Sequence, residues 1–496
     1  MIKAVFNGFI WSSAGRLVNA VTKFFSVPLL LTYFGKENYA LLALALSVNI
    51  YAKIMDLGFN TGNVKFISSW IPKNENEKIN KLVQSSISFY SIIGIINFII
   101  LLVIANYSDF IFKLSPQNDL ILKKLFYVLS VTSVISWGLS ITSQVLKAYE
   151  RIDYEERLIL ITNILTFLLV LFTVYFELDL YNYFLIYSIL LVIMLPVRLF
   201  KCMSLNKSIK FKINWHPTIF KEVLRYSLGV FLLGIFQFSA TNLRPIIVGI
   251  QSDILNVADY RIMQQITALI LIFTGSFMGI LLPIISKLDP LKDIQLTKNI
   301  VTEYTKIISL LLTSLVFGFI LISKPFIILY LGEEYLEIRM WLIIWSLSVL
   351  GTHNTAISAL ILAQKSLKPI TYFTMFSSII SLLACWFITP YYGVGGAVIS
   401  LVIYIFLQLL FYYSYYIPKV MKFDAKQIFI YSFSIPALIG LFSAIIVQLL
   451  SLPIKFDNFT LEIIGKSLSF LIIFLFATNF LSIKLSKIKS TLNFKI

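Results

Sequence analysis

The segment that decides the fold is LVQSSISFYSIIGIINFIILLVIA, which occupies positions 82–105. It contains no charged residue, and at about 1.5 Å per residue a helix of this length crosses the roughly 30 Å hydrocarbon core of a bilayer. Apolar segments of similar length recur along the chain without the period-two alternation that is typical of a membrane β-barrel. The sequence therefore predicts an all-α polytopic membrane protein.

The composition of the whole chain agrees with this prediction. Of the 496 residues, 58% are hydrophobic and 13% are charged, whereas soluble proteins carry about 25% charged residues. So few charges could not cover the surface of a soluble protein of this size, which excludes a set of soluble enzyme domains. We predict about fourteen transmembrane helices. They span residues 9–34, 39–59, 82–105, 125–146, 158–176, 180–199, 226–250, 258–285, 307–331, 341–363, 370–388, 394–416, 428–450 and 463–483.

The basic residues predict the orientation of these helices. With the N-terminus in the cytoplasm, the loops on the cytoplasmic side carry 27 Lys and Arg residues and the outer loops carry 6. Cytoplasmic loops are the ones enriched in Lys and Arg, so this asymmetry predicts a multi-pass protein with both termini inside. The formal net charge of +17 is explained by this orientation, and no nucleic-acid partner is predicted.

A short internal match indicates that the chain is built from two similar halves. Lys23 and Tyr39 have the same spacing as Arg244 and Tyr260, at an offset of 221 residues. An offset of six helices makes the copies parallel, as in transporters built from two bundles. The predicted domains are an N-terminal six-helix bundle (1–200), a basic cytoplasmic linker (201–225), a second six-helix bundle (226–416), and two additional helices with a basic tail (417–496).

The sequence offers little to catalytic or cofactor chemistry. The Gly35–Lys36 pair lacks the upstream glycine and the following Ser or Thr of a phosphate loop. We interpret Cys202 and Cys385 as inert thiols, since two cysteines without a spaced motif do not make a metal cluster. The loops are short, and no extended outer loop is present to carry catalytic carboxylates. We therefore predict no cofactor, no metal and no enzyme activity.

Charged residues within the predicted helices are the informative ones, because each costs about 2.5–3.5 kcal/mol to insert. Arg16, Lys23, Lys53 and Arg244 lie at different depths across the bilayer. A net positive series that faces a water-filled cavity would suit an anionic headgroup that moves across the membrane. In the alternative reading, Lys53 pairs with Asp56 at the i, i+3 spacing, and Arg16 and Lys23 reach the interface or backbone carbonyls.

Four polar residues within the helices receive further interpretations. We expect Arg261 and Asp259 to form an interfacial ion pair, and His353 to be a satisfied core residue rather than a proton relay. Asp56 is a candidate for binding a coupling ion, although pairing with Lys53 is the favoured role.

Two short motifs are similar to a known family. The run Tyr33-Phe-Gly-Lys-Glu-Asn-Tyr39, followed by Ile54-Met-Asp-Leu-Gly-Phe59 and the basic residue Lys65, resembles the turn and "DLG" pattern of polysaccharide flippases. Ala40 replaces the second glycine of the usual turn. A stretch from Tyr260 to Leu282-Pro-Ile-Ile-Ser286 looks like the family's second-half pattern.

The resemblance implies a fold and a function. Such proteins belong to the multidrug/oligosaccharidyl-lipid/polysaccharide exporter superfamily, in which two six-helix bundles surround a central cavity and two further helices lie outside. Flippase members move a polyprenyl-diphosphate-linked oligosaccharide across the bacterial inner membrane for O-antigen, capsule or related polymers. By this resemblance Arg16, Lys23 and Lys53 would contact the diphosphate, and Arg244 is added by the internal repeat. A polysaccharide polymerase and other assembly proteins are candidate partners.

Two other functions remain open from the residues. A drug/cation antiporter of the same fold would need acidic residues in its cavity, and this chain places more cations than anions there. A membrane glycosyltransferase or polymerase would need catalytic carboxylates on an extended outer loop. The residues favour the flippase over both.

Overall fold

The computed structural model describes residues 2–285, 294–355, 357–358, 368–454, 456 and 458–480, and every regular element within them is helical. Side chains are described in these ranges except at positions 2–14, 16, 230, 233, 273–285, 294–296, 368 and 480. Ten described helices are long and apolar enough to cross a membrane, or eleven if a bent helix over residues 217–242 is counted as one span. The prediction of an all-α polytopic membrane protein is confirmed. The number of fourteen spans stays a prediction.

The chain folds into two compact units, one formed by Met1–Ile262 with Cys385–Val394 and the other by Met263–Ala384 with Gly395–Ile496. The domain boundaries predicted from the sequence stay a prediction, because compactness does not test membrane topology. The first unit contains α1 (Ile2–Ala52), α2 (Phe59–Trp70), α3 (Asn76–Asn106), α4 (Ser108–Phe112), α5 (Pro116–Gly138), α6 (Ile141–Ala148), α7 (Ile152–Tyr175), α8 (Leu180–Leu205), α9 (Pro217–Asn242), α10 (Arg244–Gln251) and the start of α11 (Leu255–Ile285).

Helix α3 shows how the first unit is adapted to a bilayer. It packs along α5, and its face toward the protein includes the buried polar residues Ser86 and Asn97, whereas Ile92 and Ile99 are exposed. This distribution is the reverse of a soluble helix. It is expected where lipid is the surrounding solvent, because polar side chains then turn toward the protein interior. Helix α1 packs along α7 in the same unit.

The long first helix is interrupted at Gly35, whose backbone angles (φ 78°, ψ 162°) are not helical. The two predicted spans at 9–34 and 39–59 therefore correspond to two arms joined at this glycine. Beside the break, the side-chain amide of Asn118 donates a 2.5 Å hydrogen bond to Glu37. The turn that resembles the family motif is thus a glycine break held against the start of α5.

Two comparable contacts occur near the turns that the internal repeat relates, although not at equivalent positions. Tyr33, next to the Gly35 break, donates a hydrogen bond to the carbonyl of Leu178 between α7 and α8 (3.1 Å). Asn256, at the start of α11, accepts one from the backbone N–H of Val394 (3.0 Å). In each copy the turn after the first helix is tied to the connection before the last one. This agreement supports the predicted duplication.

The second unit is organised around one long helix. Its helices are the remainder of α11, α12 (Ile294–Tyr330), α13 (Arg339–Val349), most of α14 (Lys368–Tyr392), α15 (Val394–Val420), α16 (Ala425–Ser451) and α17 (Phe459–Phe480). Helix α12 packs against both α16 and α17. The approach is close: a Cβ added at Gly440 of α16 would lie 2.7 Å from the ring of Phe317 on α12. The last two helices are therefore integral to this unit.

His353 is a satisfied core residue in the second unit, as predicted. Its side chain is fully buried. One ring nitrogen lies 2.7 Å from the carbonyl of Leu350 and the other lies 2.7 Å from the hydroxyl of Tyr413, and the ring stacks on Phe433 at 4.0 Å. With both nitrogens occupied, this histidine has a structural explanation.

Candidate substrate-binding site

The "DLG" motif forms the turn that ends the first long helix. Residues Lys53–Asp56 make a single 3₁₀ turn, and Leu57 (φ 51°) and Gly58 (φ 72°) both adopt left-handed backbone angles. A Cβ at Gly58 would lie 2.6 Å from the carbonyl oxygen of Ser227 on α9. Glycine is required here for both its backbone freedom and its lack of a side chain. The turn fixes Lys53 at the end of α1, where its side chain is exposed.

Three cations of the first unit interact electrostatically. Lys23 is exposed on α1, and the charges of both Lys53 and Arg261 act on its ammonium group. We call Lys23, Lys53 and Arg261 the cation cluster. None of the ion pairs among the described side chains involves Lys23 or Lys53. Like charges held close together repel one another, so the cluster is ready for an anion.

Arg261 contacts the first long helix. Its guanidinium donates to the hydroxyl of Ser47 on α1, with 3.1 Å between Nε and Oγ. Asp259, its expected partner, forms an ion pair with Lys36 at 2.7 Å. Asp259 thus joins α11 to the Gly35 break, and its predicted interfacial pair with Arg261 stays a prediction. Residues two positions apart on a helix point to different sides. This spacing was a signal in the sequence against an Arg261–Asp259 pair.

Asp56 has partners other than the predicted Lys53. One carboxylate oxygen accepts a 2.6 Å hydrogen bond from the hydroxyl of Tyr90, and the other accepts the backbone N–H of Asn60 at 3.1 Å. The side-chain amide of Gln144 donates to the same Tyr90 hydroxyl at 2.9 Å. The favoured Lys53–Asp56 pairing is therefore wrong for this structure. Asp56 ties the turn to α3 and α6, and Lys53 is left to the cation cluster.

The other two predicted cations lie in different surroundings. Arg244 is fully buried at the start of α10 and acts electrostatically on Tyr260, so in this conformation it is not available to a ligand. Arg16 lies on α1 two turns before Lys23, and its side chain is outside the described residues. Asn19, between them on α1, donates to Asn163 of α7 at 3.3 Å. The diphosphate contacts of Arg16 and Arg244 stay predictions.

A cavity of about 500 Å³ opens beside the cation cluster within the first unit. Lys53 and Asp56 line one side of it, and the ion pair between Glu155 and Arg198 (2.9 Å) lines another. Most other wall residues are uncharged and polar, with the ring of Trp137 among them. Among the described residues no group of three or more His, Cys, Asp or Glu side chains is placed to hold a metal ion.

Comparison with known proteins identifies the family. The model of a family described as "Polysaccharide biosynthesis protein" matches residues 5–289, which is more than half of the chain. The chain belongs to this family. The match covers the cation cluster, both motif turns and the cavity. No protein of curated function matches the sequence.

Solved structures place this family member among known transporter folds. The chain is similar to a lipid II flippase MurJ in an inward closed conformation, with a TM-score of 0.73 and 16% identity over 96% of this chain and 99% of that one. It is also similar to an inward-facing MATE multidrug resistance transporter of the MOP superfamily (TM-score 0.66, 14% identity, 88% and 98% covered). A MOP superfamily transporter from Pyrococcus furiosus with a binding pocket of reversed polarity matches with a TM-score of 0.51 and 14% identity (91% and 97% covered). These similarities show the fold, and with ten candidate spans they make the chain a multi-pass membrane protein.

Proposed function

We propose that this protein is a flippase for a polyprenyl-diphosphate-linked oligosaccharide in the bacterial inner membrane. It would carry the sugar from the cytoplasmic to the outer leaflet by alternating access, for O-antigen, capsule or another surface polysaccharide. The observation that carries the proposal is the family match over residues 5–289, and it is supported by the cation cluster, of which Lys53 also lines the cavity. A diphosphate bears several negative charges, and Lys and Arg are the side chains that bind such groups most strongly.

The cluster also supplies a physical reason for a conformational change on binding. Without substrate, the like charges of Lys23, Lys53 and Arg261 disfavour any conformation that excludes water around them. A bound diphosphate neutralises this repulsion, so the loaded protein closes at lower cost than the empty one. A ligand shifts a conformational equilibrium only by its difference in affinity for the two states, and here the charge of the diphosphate provides that difference. The polyprenyl chain would remain in the lipid throughout.

The main alternative is export of cationic drugs, because MATE transporters share the fold. A site for an organic cation requires uncompensated carboxylates. In the described part of this site Asp56 is hydrogen-bonded by Tyr90, and Glu155 is paired with Arg198. The exposed charges of the cation cluster, those of Lys23 and Lys53, are cationic. The electrostatics therefore favour an anionic substrate over a drug cation.

Reconstituted vesicles test the proposed function. Purified protein is placed in liposomes that contain a polyprenyl diphosphate bearing one fluorescent hexose, and an impermeant quencher measures the arrival of the sugar in the outer leaflet. We expect the protein to accelerate this arrival over protein-free vesicles. No acceleration, together with uptake of a fluorescent organic cation by the same vesicles, would instead support the antiporter.

A further inference from the structure

We propose that the cavity beside the cation cluster binds the first sugar of the substrate, as a neutral, hydroxyl-rich ring. This inference rests on the proposed function and deepens it, because it assigns the saccharide to a pocket inside the first unit. Its volume of about 500 Å³ falls within the range of about 300–1,000 Å³ that small-molecule sites occupy.

The charge of the cavity favours a neutral ligand. Arg198 compensates Glu155 at 2.9 Å, and the hydroxyl of Ser143 donates to the same carboxylate at 2.8 Å. Asp56 and Lys53 contribute one charge of each sign to the wall. The formal charges therefore cancel, so neither an organic cation nor a further phosphate gains from entering.

Two unpartnered hydroxyls in the wall indicate that the cavity is built for a ligand with hydroxyl groups. Ser188 is 2% exposed, and neither its Oγ nor the buried Oγ of Ser140 has a hydrogen-bond partner. Both residues line the cavity. Buried polar atoms are nearly always satisfied, and rotation about χ1 would turn these two hydroxyls toward a partner that enters the cavity. A sugar ring supplies donors and acceptors of the required kind.

The position of the cavity fits the covalent structure of the substrate. In a polyprenyl-diphosphate sugar, the anomeric oxygen is bonded directly to the second phosphorus, so the first ring follows the diphosphate without a spacer. Lys53 belongs both to the cation cluster and to the cavity wall. A diphosphate held by the cluster would place the first ring in this cavity, where Trp137 offers an aromatic face to the apolar C–H side of the ring.

Binding to the purified full-length protein tests this inference with two lipids. One is a bare polyprenyl diphosphate, and the other is the same lipid bearing a single hexose. We expect the wild type to bind the hexose-bearing lipid at least tenfold more tightly. In the double variant Ser140→Ala and Ser188→Ala, this preference should fall about tenfold, because two hydrogen bonds to the sugar are lost, and affinity for the bare lipid should not change.

A second variant tests the cavity by filling it. Ser136 lines the cavity, and Ser136→Leu should abolish the preference for the hexose while binding of the bare lipid persists. The matched control is Ser414→Leu, at an exposed position whose hydroxyl bonds only to the carbonyl of Leu410 in its own helix. Ser414→Leu should retain the wild-type preference.

The possible results separate this inference from the proposed function. Equal binding of both lipids by the wild type, or an unchanged preference in both cavity variants, would overturn the sugar subsite and leave the flippase proposal standing. Failure of the wild type to bind either lipid would overturn the flippase proposal and the subsite with it. The serine-to-alanine variant guards against misfolding, since the two hydroxyls it removes have no partners to lose.

Discussion

Lys36 and Asp259 form an ion pair, with 2.7 Å between Nζ and Oδ1, that joins the Gly35 break of α1 to the beginning of α11. The Asp259 side chain is 11% exposed, and that of Lys36 is 32% exposed. The pair connects residues that are more than two hundred positions apart in the sequence, within the first unit. It fixes the two turns that the internal repeat relates.

Exchanging the two charges tests this pair. Asp259→Lys alone should lower the free energy of unfolding by about 1–3 kcal/mol, because it places a second cation beside Lys36 in a poorly solvated position. The double change Lys36→Asp with Asp259→Lys should recover part of this loss. Thermal unfolding of the purified protein in detergent measures both. A double variant no more stable than the single one would show that the pair contributes no favourable coupling.

The hydrogen bonds of Asp56 lead to a second prediction. Tyr90 is fully buried, and removing its hydroxyl takes one partner from an oxygen of Asp56 and one from the side-chain N–H of Gln144. We expect Tyr90→Phe to cost about 1–3 kcal/mol of stability. Tyr127→Phe is the matched control, because Tyr127 is 41% exposed and its bond to Asn106 is long, at 3.4 Å. Equal melting temperatures for the two variants would contradict the prediction.

The "DLG" turn gives a third prediction, on glycine. Gly58→Ala should destabilise the protein by at least about 1–2 kcal/mol from its left-handed backbone alone, and the contact with the carbonyl of Ser227 adds to that cost. Gly229→Ala on α9 is the control, since no atom of the described residues lies within 4 Å of the added methyl. There the change should stabilise by about 0.5–1 kcal/mol. If both alanines behave alike, the turn does not need its glycine.

The sequence predicted the fold better than it predicted the pairing of side chains. Helix class follows from hydropathy, a local property, and each predicted span overlaps a described helix. The "DLG" glycine could also be recognised as a backbone requirement. The partner of Asp56 could not be predicted in this way, because Tyr90 lies 34 positions away and only packing brings it to the turn.

The sequence predicted only part of the cation cluster, because packing decides the rest. Lys23 and Lys53 stand out because a charge in an apolar segment is costly. Arg261 was hidden by its neighbour Asp259, which offered a simpler explanation at close range. Arg244 is a charge in an apolar segment like Lys23, and it was predicted to bind substrate for that reason, yet it is fully buried. A costly charge in a helix therefore marks a residue that needs a partner, and the fold decides whether that partner is the protein or a ligand.

A fourth prediction concerns topology, which stays untested. Gln117 and Lys426 are exposed on opposite sides of the predicted membrane, and both native cysteines are buried. In intact cells, an impermeant maleimide should label Gln117→Cys and should leave Lys426→Cys unlabelled until the membrane is permeabilised. The buried native thiols keep the background low. Labelling of Lys426→Cys in intact cells would reverse the assigned orientation.

The last prediction concerns the charge of the cation cluster. Lys23→Ala and Lys53→Ala should each reduce flipping roughly tenfold to a hundredfold, since a hydrogen bond to a charged group contributes about 1.5–3 kcal/mol. Lys23→Arg should retain partial transport, because it keeps the charge and changes only the geometry. Arg16→Ala should behave as Lys23→Ala does if its predicted phosphate contact is real.

The structure makes Lys53→Ala a clean test, because Asp56 keeps its bonds to Tyr90 and Asn60 when the lysine is removed. Membrane abundance should be unchanged in the alanine variants, since removing a cation from an apolar segment lowers the cost of insertion. Lys124→Ala, at an exposed lysine on α5, is the matched control and should transport normally. Flipping is measured as quencher-accessible sugar in vesicles, at equal protein content. Wild-type flipping by the double variant Lys23→Ala with Lys53→Ala would remove the cation cluster from the mechanism, even though the family assignment would stand.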